Sequence, residues 1–260
     1  MTIYTRGEPS EVVPLTLFLK VQLRPTGIIA LRSLPQSKMR TALRHAPPTA
    51  LIGAIAYPLL HISGERDETV YEKKTYKSKA NSVVGLFRWV TIKTEVKPKL
   101  YGSLLKINTI YRGNAQTAVT SFPFAVIYGE REGSLTAAYI IDEDALSESP
   151  YTQRDLERAA WGITRLGSRE SVVSVEDVEV GKTEVHQAEK VRTAYAFPYK
   201  GIIDIRGGSG VLQTVVDWRS GIGDYSSAPR VVMFYPEGTV EVSGRLSVAE
   251  LGGEVVILAP

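Results

Sequence analysis

The sequence predicts an α+β fold in which two helices are set among antiparallel strands. That order fits a ferredoxin-like βαββαβ unit and leaves other α+β arrangements open on pattern alone. Three observations carry the prediction. Residues 13–23 alternate as a half-buried strand does. Two stretches, beginning near Pro48 and near Thr152, space their apolar residues three and four apart. Elsewhere short β-prone runs are separated by glycine, proline and polar turn residues.

The first strand, VPLTLFLKVQL, puts Leu15, Leu17, Leu19, Val21 and Leu23 on one face and Thr16, Phe18, Lys20 and Gln22 on the other. On that second face Phe18 and Lys20 offer a stacking ring and a cation to RNA, or Phe18 packs under a loop. A basic loop follows, carrying Arg32, Lys38, Arg40 and Arg44, and it runs through His45 into Pro47-Pro48-Thr49. Pro48 at the first helical position, or Thr49 as N-cap, starts a helix. Leu51, Ile55 and Leu59, with Ile52 beside them, form its apolar stripe. Gly53 leaves room for another backbone, and Pro58 should end or kink the helix. Beyond GERDET lies a second basic segment in which Lys73, Lys74, Lys77 and Lys79 surround Tyr71 and Tyr76. LFRWVTIK (86–93) and LLKINTIY (104–111) read as two strands of a protruding hairpin bearing Arg88, Trp89 and Tyr101. SFPFAVIYG (121–129) and SLTAAYIID (134–142) read as a second hairpin. Ser149-Pro150 or Thr152 then starts a helix with Leu156, Ala159, Ala160 and Ile163 on one stripe, and Gly167 suits a left-handed C-cap. A strand over 171–180 follows, then a β-rich remainder in which VLQTVVDW, RVVMFY and TVEVSG are strand candidates. GGSG (207–210) fits neither a phosphate-binding loop nor a serine-hydrolase elbow and reads as a turn.

With 43% hydrophobic and 23% charged residues, the chain of 260 is expected to fold as a globular protein. It has no cysteine, which excludes disulfides, thiolate metal sites and cysteine nucleophiles. No apolar run reaches bilayer-spanning length and the first residues lack a signal-peptide core, so a cytoplasmic location without membrane partners is the expectation. The net charge of +3 hides a sharp division, +11 over residues 1–113 and −8 over 114–260. Such a division points to a polyanionic partner for the first half; the alternative is that the two halves neutralise each other.

The chemistry is spare. The histidines, His45, His61 and His186, are far apart and fit no zinc-binding spacing, so neither metal nor cofactor is expected. Basic side chains interleaved with aromatics suit single-stranded RNA, and a cationic loop feeding a helix N-terminus suits phosphate. His45 is the one catalytic candidate: beside Lys38, Arg40 and a tyrosine it could support metal-free cleavage of RNA through the 2′-hydroxyl. A histidine in that place more often binds phosphate or caps the structure. The helix dipole and the neighbouring cations should keep His45 neutral near pH 7.

These residues resemble a known family. LRSLPQSKMRTALRHAPPTALIGAIAYPL (31–59), with Pro-Pro-Thr-Ala-Leu-Ile-Gly after an arginine-rich loop, is similar to the N-terminal signature of Cas family five. RLGSRESVVSV (165–175) resembles the second segment of that family. The archaeal type I-A branch matches best, well over the start and middle and poorly from Gly181 onward. The resemblance implies a RAMP-type, RRM-like domain over 1–180 with a β-hairpin thumb inserted at about 65–113, and a β-rich region over 181–260 packed on it. It implies a non-catalytic subunit of the type I CRISPR Cascade complex of antiviral defence. Such a subunit holds the 5′ handle of CRISPR RNA between the backbone subunits and the large subunit. By resemblance the handle contacts fall on Arg32, Ser37, Lys38, Arg40, Arg44, His45 and Thr49 and on the turn Arg165, Gly167, Ser168 and Arg169. Lys73, Lys74, Lys77, Lys79, Arg88 and Trp89 fall in or near the thumb. One branch, type I-C, cleaves its own precursor RNA; in type I-A that step belongs to a separate family-six nuclease. Three functions therefore stand: RNA-binding assembly subunit, metal-independent endoribonuclease using His45, and protein-only scaffold.

Overall fold

A computed structural model describes residues 15–26, 29–31, 43–72, 75–95, 99–111, 113–126, 133–169, 171–222 and 228–259. In chain order the elements are β1 (Leu15–Pro25), α1 (Pro48–Ile62), β2 (Thr69–Glu72), β3 (Thr75–Ser78), β4 (Phe87–Thr94), β5 (Lys99–Tyr111) and β6 (Asn114–Val126). There follow β7 (Leu135–Ile141), α2 (Glu143–Glu148), α3 (Gln153–Trp161), β8 (Val173–Thr193), β9 (Phe197–Pro198), β10 (Asp204–Arg206), β11 (Gly210–Val216), β12 (Arg230–Pro236), β13 (Val240–Leu251) and β14 (Glu254–Ala259).

The main sheet runs β4-β7-β1-β8 with every pair antiparallel, and continues through β13 to β10, with β14 also paired to β13. The composition of β7, LTAAYII, suits its place: largely apolar on both faces and buried throughout, it lies inside the sheet between β1 and β4. β8 is one unbroken strand whose first half pairs with β1 and whose second half pairs with β13, so it crosses residue 180 without interruption. Leu51, Ile52, Ile55 and Leu59 of α1 are buried, and the hydroxyl of Tyr139 on β7 donates to the Leu51 carbonyl at 3.0 Å, fixing the helix to the sheet. α3 lies against α1, where a Cβ on Gly162 would come within 2.8 Å of the Pro58 Cβ. The sheet β11-β12-β9 joins the same core through Val215, Met233 and Tyr235, with Trp218 from the turn just after β11. Around β13 a second core gathers Phe197, Phe234, Val242 and Leu246. Among the described residues no helix is long and apolar enough to cross a membrane.

Several expectations are corrected. β4 pairs with β7, not with the 104–111 segment, and β6 pairs with β5, not with β7. Both expected hairpins joined neighbours by proximity. β4 and β7, rich in buried apolar residues, belong to the core sheet. β5 and β6, 13 residues each, pair along their whole length across a two-residue connection in which Gly113 has φ +80°. Gly113-Asn114 after Arg112 was the turn signal. Pro58 does not end α1, which runs on to Ile62. α3 stops at Trp161 with Gly162 as its cap, five residues before Gly167. Gly167 does take the left-handed conformation, φ +89°, but in the turn beyond the helix. Thr152 starts α3 through a capping box with Asp155. The second face of β1 is not open. Phe18 is 4% exposed with its ring against Gly181, and Lys20 pairs with Glu179 at 2.6 Å and Glu254 at 3.6 Å.

Candidate nucleic-acid interface

The end of the basic loop is tied down from far along the chain. The backbone N–H groups of Arg44 and His45 donate to Gln213 Oε1 at 2.9 and 3.3 Å, and Gln213 Nε2 donates to the His45 carbonyl at 3.0 Å. Tyr235 donates to the carbonyl of Ala46 at 3.3 Å. This pattern leaves Arg44 exposed and turns His45 inward. The His45 ring is 2% exposed, stacked on Tyr235 at 4.8 Å, with Nδ1 3.4 Å from Thr94 Oγ1. Its Nε2 is buried without a partner among the described residues. Burial lowers its pKa to about 4, helped by Arg44 and opposed by Glu237. His45 is thus neutral near pH 7, but enclosure rather than the helix dipole is the main cause. The RNA contact expected at His45 falls on a ring enclosed between Tyr235 and Thr94. Trp89 is enclosed likewise. At 4% exposure, with its indole 6.5 Å from that of Trp218, it is a core residue.

Beyond this anchor α1 begins with Pro48 and forms one wall of a cavity of about 570 Å³. Thr49, Gly53, Tyr57 and His61, spaced four apart, line that wall. They form a helical stripe of polar and small residues beside the apolar one, and that spacing was the signal by which Tyr57 and His61 could have been found in the sequence. Across the cavity stand Thr214–Val216 of β11, and its floor includes Ala30 and Leu31 after β1. The turn after α3 supplies Arg165, Gly167 and Ser168. It is held by the Leu166 N–H donating to the Ser171 carbonyl at 2.9 Å, by a Ser168–Ser171 hydroxyl bond at 2.8 Å, and by the Ala30 N–H donating to Ser171 Oγ at 2.8 Å. A Cβ on Gly167 would lie 2.6 Å from Leu31 Cδ2 and displace that side-chain end, and the positive φ is what calls for glycine. The Arg165 guanidinium sits 4.5 Å from the centre of the Tyr57 ring and pairs with Glu68 at 2.8 Å. Tyr57 in turn meets His61 at 4.3 Å. Asp67 and Glu68 complete the rim at the start of β2.

Two segments more than a hundred residues apart thus converge: Thr49, Arg165, Gly167 and Ser168 line one cavity, with exposed Arg44 and Arg169 next in sequence to its walls. Of the second basic segment, Lys77 and Arg88 are exposed, and Lys79 pairs with Glu65. Arg32, Ser37, Lys38, Arg40, Lys73 and Lys74 lie outside the described residues. A separate polar cleft of about 300 Å³ holds Lys20 and Lys93 between Glu95, Glu179 and Glu254. Among the described residues no three His, Cys, Asp or Glu side chains converge as a metal site.

No family model matches the chain. CRISPR-associated protein Cas5 3 of Saccharolobus solfataricus is 25% identical over 239 residues, 86% of this chain and 91% of that protein. CRISPR system aCascade subunit Cas5 1 of the same organism is 26% identical over 227 residues, 82% of this chain and 87% of that protein. A CRISPR protein from Archaeoglobus fulgidus has the same fold, with TM-score 0.57 at 19% identity over 93% of this chain and 98% of its own. The likeness to Cas5 proteins, read first from two short motifs, extends over most of the chain.

Proposed function

We propose that this chain is a non-catalytic subunit of a type I-A Cascade effector complex that holds the 5′ handle of CRISPR RNA and joins the backbone to the large subunit. The observation that carries this reading is the convergence of the helix start at Thr49 and the turn Arg165–Ser168 on one cavity flanked by exposed arginines. These are the two segments by which the sequence resembles Cas family five. The strand order β8-β1-β7-β4, with α1 after β1 and α3 before β8, supports a ferredoxin-like RAMP core. In this reading the thumb is the ribbon β5–β6 (99–126), which lies later in the chain than the expected 65–113. The enclosure of His45 supports a binding role over cleavage, because a general base must reach the 2′-hydroxyl it deprotonates.

The test is to incubate the purified chain with labelled CRISPR repeat RNA in the presence of a chelator, across a salt series. Retention without cleavage is expected. Arg44→Ala and Arg169→Ala should each weaken binding and flatten the dependence of log K on log salt by about 0.7. Specific cleavage by the wild type, abolished by His45→Ala, would establish the endoribonuclease instead. Absence of both binding and cleavage would leave a protein-only scaffold.

A further inference from the structure

Gly53 lies in the middle of α1, where glycine weakens a helix relative to almost any other residue. Close packing gives no reason for it: a Cβ built on Gly53 meets nothing within 4 Å. By contrast, Gly162 on the neighbouring connection is pressed against Pro58. The expected approach of another backbone to Gly53 is therefore absent among the described residues. What Gly53 preserves is cavity space.

The chemistry of that space selects its occupant. Its interior is largely aliphatic, contributed by Leu31, Ala50, Ala54 and Val215 among others. On one wall the Arg165 guanidinium lies over the Tyr57 ring, 4.5 Å from its centre. Two carboxylates, Asp67 and Glu68, stand on the same rim. Arg165 and Arg230, which also line the cavity, match these carboxylates in number, so the cavity offers a phosphate no excess of positive charge and the sugar–phosphate backbone stays outside with the exposed arginines. A flat, uncharged ring with an apolar body and a donor-bearing edge satisfies every wall, and the volume is ample for it.

We propose that the cavity over Gly53 captures an unstacked nucleobase of the bound RNA, stacked on the Tyr57–Arg165 wall, with an exocyclic amino group donating to Glu68 or Asp67. Glu68 already accepts from Arg165 at 2.8 Å, and a carboxylate has acceptor capacity for a second donor. The site therefore favours adenine, cytosine or guanine over uracil, whose single edge donor, N3–H, is flanked by two carbonyl oxygens that Glu68 and Asp67 would repel. This inference rests on the reading of the chain as an RNA binder and adds which part of the RNA enters the cavity.

The experiment measures binding of fluorescein-labelled single-stranded RNA octamers of A, C and U to the wild type and to Gly53→Leu, Tyr57→Leu and Glu68→Gln. The wild type should bind the A and C octamers about tenfold more tightly than the U octamer, the scale of one hydrogen bond to a charged group, since stacking is common to all three. Gly53→Leu fills the cavity while favouring the helix, so it should melt no lower than the wild type and lose the preference. Its salt dependence should be unchanged. Tyr57→Leu should weaken the A and C octamers most, and Glu68→Gln should shrink the discrimination against U. Equal binding of the three octamers by the wild type, or a preference that survives in a folded Gly53→Leu, would overturn base capture alone. Failure of the wild type to bind any octamer, together with the repeat RNA, would overturn both readings.

Discussion

Replacing His45 with phenylalanine should remove a pH dependence of stability that burial creates. In the unfolded chain the imidazole takes up a proton near its ordinary value of 6.5, whereas in the fold it does so only near 4. Between those values the unfolded state binds more protons, so the contribution to stability is complete above about pH 7 and drains away as the pH falls toward 4. The full difference amounts to about 3 kcal/mol, of which about 2 kcal/mol is lost by pH 5. A phenylalanine at this position would keep a ring against Tyr235 and remove the buried Nε2 that has no partner, giving up only the long contact to Thr94. Urea unfolding of the wild type and His45→Phe near pH 7.5, 6 and 5 separates this effect from carboxylate titrations common to both. The two should have similar stability at the highest pH, and the variant should become the more stable by about 2 kcal/mol at the lowest. Parallel pH profiles would refute the reasoning, because they would mean that His45 titrates alike in both states and is not enclosed.

Gly167→Val places a β-branched residue at φ +89° and a Cβ against Leu31, so it should lower stability by at least about 1–2 kcal/mol in chemical denaturation. If RNA approaches the backbone of Ser168 and Arg169, affinity for repeat RNA falls as well; normal affinity in a folded variant would mark the turn as structural only. Thr152→Ala removes the capping box of α3 and should cost about 1 kcal/mol, read as a lower thermal midpoint with RNA binding unchanged. Glu254→Gln takes the carboxylate charge from between Lys20 and Lys93 and should destabilise the chain more at low than at high salt, since the pairs at 3.6 and 2.6 Å are only part-buried.

Where one face of an element meets the core and the other meets water, its pattern could be read along the chain. The alternation of β1, the stripe of α1 and the Thr152 start of α3 are of this kind. Pairing was harder. β7 is buried on every residue and mostly apolar, and such a run says that both faces of a strand are covered without naming the strands beside it. Its partners β1 and β4 are distant in sequence, so joining it to the nearest strand gave the wrong hairpin. The cover over Phe18 and Trp89 is hidden from the sequence for a related reason. Each occupies a position that alternates away from the helix side, and nothing local announced that Gly181 and Trp218 would cover them. The cavity was half legible. Its arginine and glycine turn stood out by composition, whereas Tyr57 and Glu68 acquire their roles only when Arg165 is brought between them. Gly53 was legible as an opening, but what fills it was not.

The division of charge also has to be read through the fold. Lys20 pairs with Glu179, Arg24 with Glu176 and Lys93 with Glu254, each a cation of the basic half meeting a carboxylate of the acidic half. The first two bridge β1 and β8, whose antiparallel register sets residues 20 and 24 opposite 179 and 174. Much of the apparent attraction for a polyanion is thus spent inside the sheet, as the alternative of mutual neutralisation supposed. That neutralisation has a place: it lies on β1, β4, β8 and β14, none of whose residues line the cavity formed by α1, the turn before β8, β11 and the segments after β1 and before β2. Counterion release counts phosphates that are met by accessible cations, not the formal charge of half a chain. The salt dependence of RNA binding should therefore track the arginines beside the cavity, and charge removal at Lys20 or Arg24 should leave it unchanged. A slope that responds equally to Lys20→Gln and Arg44→Gln would move the RNA onto the sheet and away from the cavity.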